Sequence, residues 1–205
     1  MDEPRKPKRG RPRRLDADKT LDVAMRAYWR DDPADVSINA ICKLADVSKP
    51  GLYREFGGED GLMRAVLDRY AEQVLSEIGE ILARGAPLTD SLQDLAHFAG
   101  VDPKMETGCV FYKMRAGKHR LGPRTLEAVT AIDAAAVDAF SEFLDARRAA
   151  GDWTGSHPAP VVARYLVEQI GLALMQRASG EDPKQVQDTL ALGFSVVAGT
   201  GPSVL

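Results

Sequence analysis

The chain has 205 residues, 44% of them apolar and 28% charged, with a formal net charge of −3. That composition belongs to a globular protein able to bury a sizeable core, as one medium domain or two small ones, and it excludes a collagenous chain or a disulfide scaffold. Only two cysteines are present, Cys42 and Cys109, far apart, which fits a reducing cytoplasmic home.

Residues 1–14, MDEPRKPKRGRPRR, carry seven basic and two acidic groups and no apolar side chain beyond Met1, so they cannot pack a core and read as a basic arm. The arm has a net charge of +5, against −4 for residues 15–60 and −4 for residues 61–205. The positive field that a phosphate backbone would feel is therefore concentrated in the arm. Arg9-Gly10-Arg11-Pro12-Arg13 resembles an AT-hook core. Its glycine lets the backbone approach closely, and Arg9, Arg11 and Arg13 would enter the negative potential of a narrow minor groove. A solvated tail that serves only nonspecific attraction is the plainer alternative. No apolar segment follows the arm, so it does not read as a signal peptide.

Residues 16–30 predict a helix with Leu21, Ala24, Met25 and Tyr28 on one face, ended by Asp31-Asp32-Pro33. The next stretch, 37–56, reads SINAICKLADVSKPGLYREF. Ser37 is a good N-cap, and Ile38, Ile41 and Leu44 at three-residue steps give a short helix an apolar side. Asp46 stands where the chain must reverse and tolerates a left-handed backbone. Ser48 can cap a second helix, with Pro50 acceptable in its first turn. Val47, Leu52 and Phe56 supply its buried side. Lys49, Gly51, Tyr53, Arg54 and Glu55 remain outward, a set able to donate to phosphates and base edges from a helix in a major groove.

Gly57-Gly58 breaks the chain, and Glu59-Asp60 place negative charge in the first turn of a following helix, where the dipole favours it. An apolar stripe through Leu62, Val66, Tyr70, Val74, Ile78 and Ile81 predicts one uninterrupted helix to about residue 84. Further helices are expected near 89–99, 109–116, 123–150, 158–178 and 183–198, with no strand and no internal repeat. The last two are apolar on more than one side. Val162, Leu166, Ile170 and Leu174 form one line, with Val161, Leu172 and Met175 off it. Val186, Leu190, Phe194 and Val197 form the other, with Leu192 and Val196 off it. A helix apolar on two sides needs two partners, one of which can be a second copy of the chain, and Gly171 and Ala173 would permit close approach of backbones. Arg164, Glu168 and Arg177 interrupt this most apolar region, so no membrane span is expected.

The run VSKPGLYREFGGEDGL, 47–62, resembles the TetR (tetracycline-repressor) family signature, and the likeness extends over roughly 15–67. The resemblance implies an all-α protein, with an N-terminal three-helix helix-turn-helix DNA-binding domain at 15–60 and a helical effector-binding and dimerisation domain at 61–205. It implies that Ser37, Ser48, Lys49, Gly51, Tyr53 and Arg54 touch DNA, that the helix after Gly58 is a lever, and that the last two helices build a homodimer on a pseudo-palindromic operator. The default role is a repressor released by a small-molecule effector. Two positions depart from the family pattern: Asp46 replaces a common glycine, and Glu59 stands where a phosphate-gripping lysine is usual.

Chemistry is sparse. His97, His119 and His157 lack metal-ligand spacing, and no nucleophile elbow, zinc-protease or phosphate-loop motif occurs, so no catalytic residue, metal or cofactor is expected. Cys109 follows Thr107-Gly108 at an expected helix start with Lys113, Arg115 and Lys118 downstream, and both features lower a thiol's pKa, which marks it as a candidate redox or electrophile sensor. An effector cavity is expected among the helices of 62–178, with Phe98, Phe111, Tyr112, Phe140 and Phe143 available to line it. Two other classes stay open, an architectural A·T-rich DNA-binding protein that uses the arm and a thiol-dependent helical enzyme that uses Cys109.

Overall fold

The computed structural model describes residues 15–199; the arm and its Arg9, Arg11 and Arg13 lie outside the described residues. Among these residues the regular structure is entirely helical: α1 Ala17–Arg30, α2 Ile38–Ala45, α3 Lys49–Phe56, α4 Glu59–Tyr70, α5 Ser76–Ala83, α6 Leu88–Gly100, α7 Val110–Ala116, α8 Pro123–Ala149, α9 Ala159–Ala178 and α10 Pro183–Ala198. None of the described helices is long and apolar enough to cross a membrane.

Local chemistry starts the helices where the sequence places them. The Asp16 carboxylate accepts from Lys19 N at 3.1 Å and opens α1, and Asp182 does the same for α10 through Gln185 N at 2.9 Å. α1 to α3 pack around Tyr28, Ile41 and Leu52, all fully buried, and α4 closes that core with Leu62 and Val66. α6 to α10 form the larger body, α8 against α9 and α10 against α6 and α9, around Leu95, Met105, Met114, Leu144 and Leu166.

The expected single helix from 62 to 84 is corrected by a π-helical turn, Ala71–Leu75, between α4 and α5. The backbone stays right-handed through Tyr70, Ala71, Leu75 and Ser76, so the segment remains one rod, but with an extra residue in one turn. Val74 and Ile81 turn into the core, while Leu75, Ile78 and Leu82 face a cavity beside it.

Candidate functional site

α2 and α3 meet at a turn built by three caps. The Ser37 hydroxyl accepts from Ala40 N and the Ser48 hydroxyl from Gly51 N, each at 3.2 Å. Asp46, at φ 55° and ψ 47°, takes the left-handed conformation between them, the one non-glycine residue with positive φ among the described residues. One expected contact of α2 is corrected. Leu44 is 56% exposed and Cys42 and Ala45 are buried in its stead. Three-residue steps fall about 60° short of a full turn, so by Leu44 the stripe has rotated off the core face.

On α3 the outward surface consists of Lys49, Pro50, Tyr53, Arg54 and Glu55, all exposed, with Gly51 half-buried at the edge. The Lys49 ammonium lies 5.7 Å from the centre of the Tyr53 ring, which holds the two side chains on one side of the helix. No hydrogen bond or ion pair engages Arg54 among the described residues, so its donors are available. Gly51 cannot be enlarged without moving the cap, since a Cβ there would stand 3.0 Å from Ser48 Oγ. The surface is thus a short, capped helix that presents cationic and hydroxyl donors, with Ser37 and Ser48 exposed at the starts of both helices.

This unit is joined to the body by specific polar contacts. Asp60, in the first turn of α4, accepts from Arg124 N at 3.0 Å, Thr125 N at 3.0 Å and the Thr125 hydroxyl at 2.7 Å. α8 has Gly122 as its N-cap and no side-chain cap of its own, so Asp60 caps it from another helix. Gly122 makes room for this, because a Cβ there would lie 2.3 Å from Asp60 Cγ. Burial pushes the Asp60 carboxyl up, but the Thr125 and Arg124 hydrogen bonds and the Arg124 charge together hold it below the ordinary carboxylate range. The sign follows: the cap stabilises above that range and is lost as pH falls through the lowered value. Asp60→Ala is expected to cost about 2 kcal/mol at neutral pH and progressively less below about pH 4. Denaturant unfolding of both proteins at pH 7 and pH 3 checks this; an equal loss at both would contradict the cap.

Trp29 and Arg120 make further bridges. Trp29 Nε1 donates to Gly108 O at 2.7 Å, its ring meets Tyr70 edge-on at 5.0 Å, and its own carbonyl accepts from Lys113 Nζ at 2.5 Å. Arg120 pairs with Asp35 at 2.6 Å. These residues carried no signal in the sequence beyond "core" or "charged". Only the fold brings residues 79 to 85 positions apart together.

Between the α4–α5 rod, α7, α8 and α9 lies a cavity of about 300 Å³. Phe111, Tyr112 and Phe140 line it. Phe98 and Phe143 do not. Phe98 is buried on α6, away from the cavity walls, and Phe143 sits 5.8 Å from the Arg147 guanidinium. The sequence reading missed the small residues that create the space, Ala71, Gly79, Ala135, Ala136 and Ala139.

Cys109 is the N-cap of α7 and is fully buried. Burial pushes its thiol up, and this outweighs the Tyr70 hydroxyl, the Tyr112 and Phe111 amides and the Lys113 charge, which all act the other way. The expected low pKa is therefore corrected: the helix start and the cation are present, but desolvation wins. Cys42 is likewise buried with its thiol pushed up. Among the described residues no group of three or more His, Cys, Asp or Glu could hold a metal ion.

Residues 21–66 match the family model for bacterial regulatory proteins of the tetR family. This N-terminal segment is of the tetR-family type. Over 68 residues it is 40% identical to the HTH-type transcriptional repressor ComR of Escherichia coli (strain K12), a match that covers 33% of this chain and only 32% of ComR. The body is recognised by shape instead. The chain superposes on reduced NemR of E. coli with a TM-score of 0.77 and 18% identity, covering 92% of this chain and 99% of that one. A cysteine mutant of the TetR family transcriptional regulator CifR, complexed with 26 bp double-strand operator DNA, gives 0.75 and 18%, covering 94% of this chain and 100% of that one. At such identities the likeness establishes the fold, an N-terminal helix-turn-helix followed by a larger helical domain.

Proposed function

We propose that the protein is a homodimeric transcriptional regulator, acting as a repressor, that binds a pseudo-palindromic operator and releases it on binding a small molecule. The reading divides the chain into the basic arm, 1–14, the DNA-binding unit, 15–60, and the effector-binding and dimerisation domain, 61–205. The observation that carries it is the outward face of α3, where Lys49, Tyr53 and Arg54 stand exposed beside the Ser48 cap with their donors facing solvent. Lys49 and Arg54 suit phosphates or base edges, and Tyr53 suits a phosphate or an apolar base contact. Ser37 and Ser48 would meet the backbone from the helix starts and Gly51 would let it approach. The arm would add minor-groove contacts through Arg9, Arg11 and Arg13. ComR's description as a repressor and CifR's complex with operator DNA support the same role. The dimer rests on the exposed apolar side chains of the last two helices: Val161 and Leu172 on α9, Leu192 and Val196 on α10, each more than half exposed in the single chain. Full burial of the Cys109 thiol favours a noncovalent ligand over oxidation as the trigger.

A fluorescence-anisotropy titration on the DNA upstream of its own gene, against a random duplex at two salt concentrations, tests this. Tight, site-preferring binding that saturates at two subunits, or two dimers, per site is expected. The double substitution Lys49→Ala with Tyr53→Ala is expected to weaken it on the order of 100-fold without changing the melting temperature. Equal weak binding to both duplexes would overturn the regulator reading in favour of an architectural protein.

A further inference from the structure

The cavity has a chemical bias. Its wall carries no charged side chain and only two hydroxyls, Ser76 and Tyr112, and each donates to a protein carbonyl: Ser76 to Glu72 O at 2.8 Å and Tyr112 to Val167 O at 2.8 Å. Behind the wall, the Arg115 guanidinium lies 5.8 Å from the centre of the Tyr112 ring and is paired with Asp133 and Glu168. An ionic ligand entering here would lose its hydration and gain no counter-charge. A neutral ligand would gain the faces and edges of Phe111 and Phe140. The volume, about 300 Å³, is roughly twice the ~150 Å³ that holds benzene.

One wall is special. Ala71 and Leu75, at the two ends of the π-turn, both face the cavity, and one turn further along the rod stands Gly79, solvent-exposed, where a Cβ would meet nothing within 4 Å. Across from it α8 presents Ala135 and Ala139, also exposed. Small side chains on both facing helices leave an opening between them. π-turns inside helices recur at functional sites, where they re-aim side chains.

We propose that this cavity binds one uncharged, largely apolar molecule about the size of a bicyclic aromatic, which enters between Gly79 and Ala139 and rests on the π-turn of the α4–α5 rod. The inference rests on reading the larger domain as an effector-binding domain, and it names the ligand class and the element the ligand touches.

Naphthalene is a direct probe, and naphthalene-2-carboxylate is its charged counterpart. By calorimetry on the full chain without DNA, naphthalene is expected to bind once per subunit with Kd on the order of 10–100 µM, and the carboxylate at least tenfold more weakly. Gly79→Leu places a side chain in the opening without a clash and is expected to weaken naphthalene binding at least tenfold. Its melting temperature should stay at or above that of the natural protein, because a helix-interior glycine is removed. Gly79→Ala, one methyl, should retain binding within about threefold. Equal or tighter binding of the carboxylate overturns the ligand class, and unchanged naphthalene binding by Gly79→Leu overturns the site. No DNA is present, so a failed operator titration and a failed ligand titration are separate results.

Discussion

Replacing Leu192 and Val196 together by glutamate is expected to give a folded monomer whose operator affinity is lower on the order of 10²–10⁴-fold. The two side chains are 69% and 71% exposed in the single chain, so the substitutions remove little intramolecular packing. The buried line of the same helix, Val186, Leu190, Phe194 and Val197, stays intact. In the proposed dimer the new carboxylates would instead be buried against a second copy, at a cost of several kcal/mol for each unpaired charge. The loss of affinity follows from losing simultaneous engagement of two half-sites, which multiplies the affinity of one reading head through effective concentration. Light scattering gives the mass and anisotropy the affinity. A double mutant that stays dimeric, or a monomer that binds as tightly as the natural protein, would remove α9 and α10 from the interface.

Gly61→Ala is expected to destabilise the protein by about 3 kcal/mol or more, a drop in melting temperature of roughly 6–12 °C. The modest chemistry of the change is deceptive. A Cβ on Gly61 would stand 1.7 Å from the carbonyl oxygen of Phe56 and 2.7 Å from Arg124 Nη1, and the first of these is backbone that a rotamer change cannot move. Relief requires separating the end of α3 from the start of α4, which also disturbs the Arg124 contact with Phe56 O at 3.3 Å and the neighbouring Asp60 cap. Operator binding should weaken as α3 is displaced. Scanning calorimetry decides it: a melting temperature within 2 °C of the natural protein would mean that the link is looser than its geometry.

How far the sequence reaches into this structure depends on whether a rule is local. Ser37, Asp46 and Ser48 could be read because capping and left-handed turns involve residues within four positions of each other. The helical class and the starts at Pro123 and Pro183 were legible for the same reason. Leu44 was misjudged by a counting rule that drifts with length. Gly171 was expected to ease contact with another backbone, but its face is filled by Tyr112, whose Cε1 would lie 2.4 Å from a Cβ there, and Ala173 is buried. The small residue is needed for an aromatic from α7, a partner that no spacing reveals. Cys109 shows the same limit in electrostatics. The helix start and Lys113 are written in the sequence, while the desolvation that outweighs them depends on helices brought in from elsewhere. Alanines and glycines mark a cavity only after the opposite walls are known, so the aromatics were noticed and Ala135, Ala136, Ala139 and Gly79 were not. The π-turn is illegible because Ala-Glu-Gln-Val-Leu carries no residue that distinguishes a π-turn from an ordinary helical one.

That turn gives the rod a property its length conceals. An i→i+5 turn stores one surplus residue, and moving it along the helix by one position exchanges one wide hydrogen-bonded ring for an ordinary one, with the number of bonds conserved. The end anchored by Asp60 and Arg69, which pairs with Asp18 and Asp22, and the end that carries Ile78 and Leu82 along the cavity are therefore not forced to turn together. A straight α-helix would transmit any push as a rigid shaft. This one contains a slip joint, and whatever settles beside Ala71 and Leu75 sits on the joint itself.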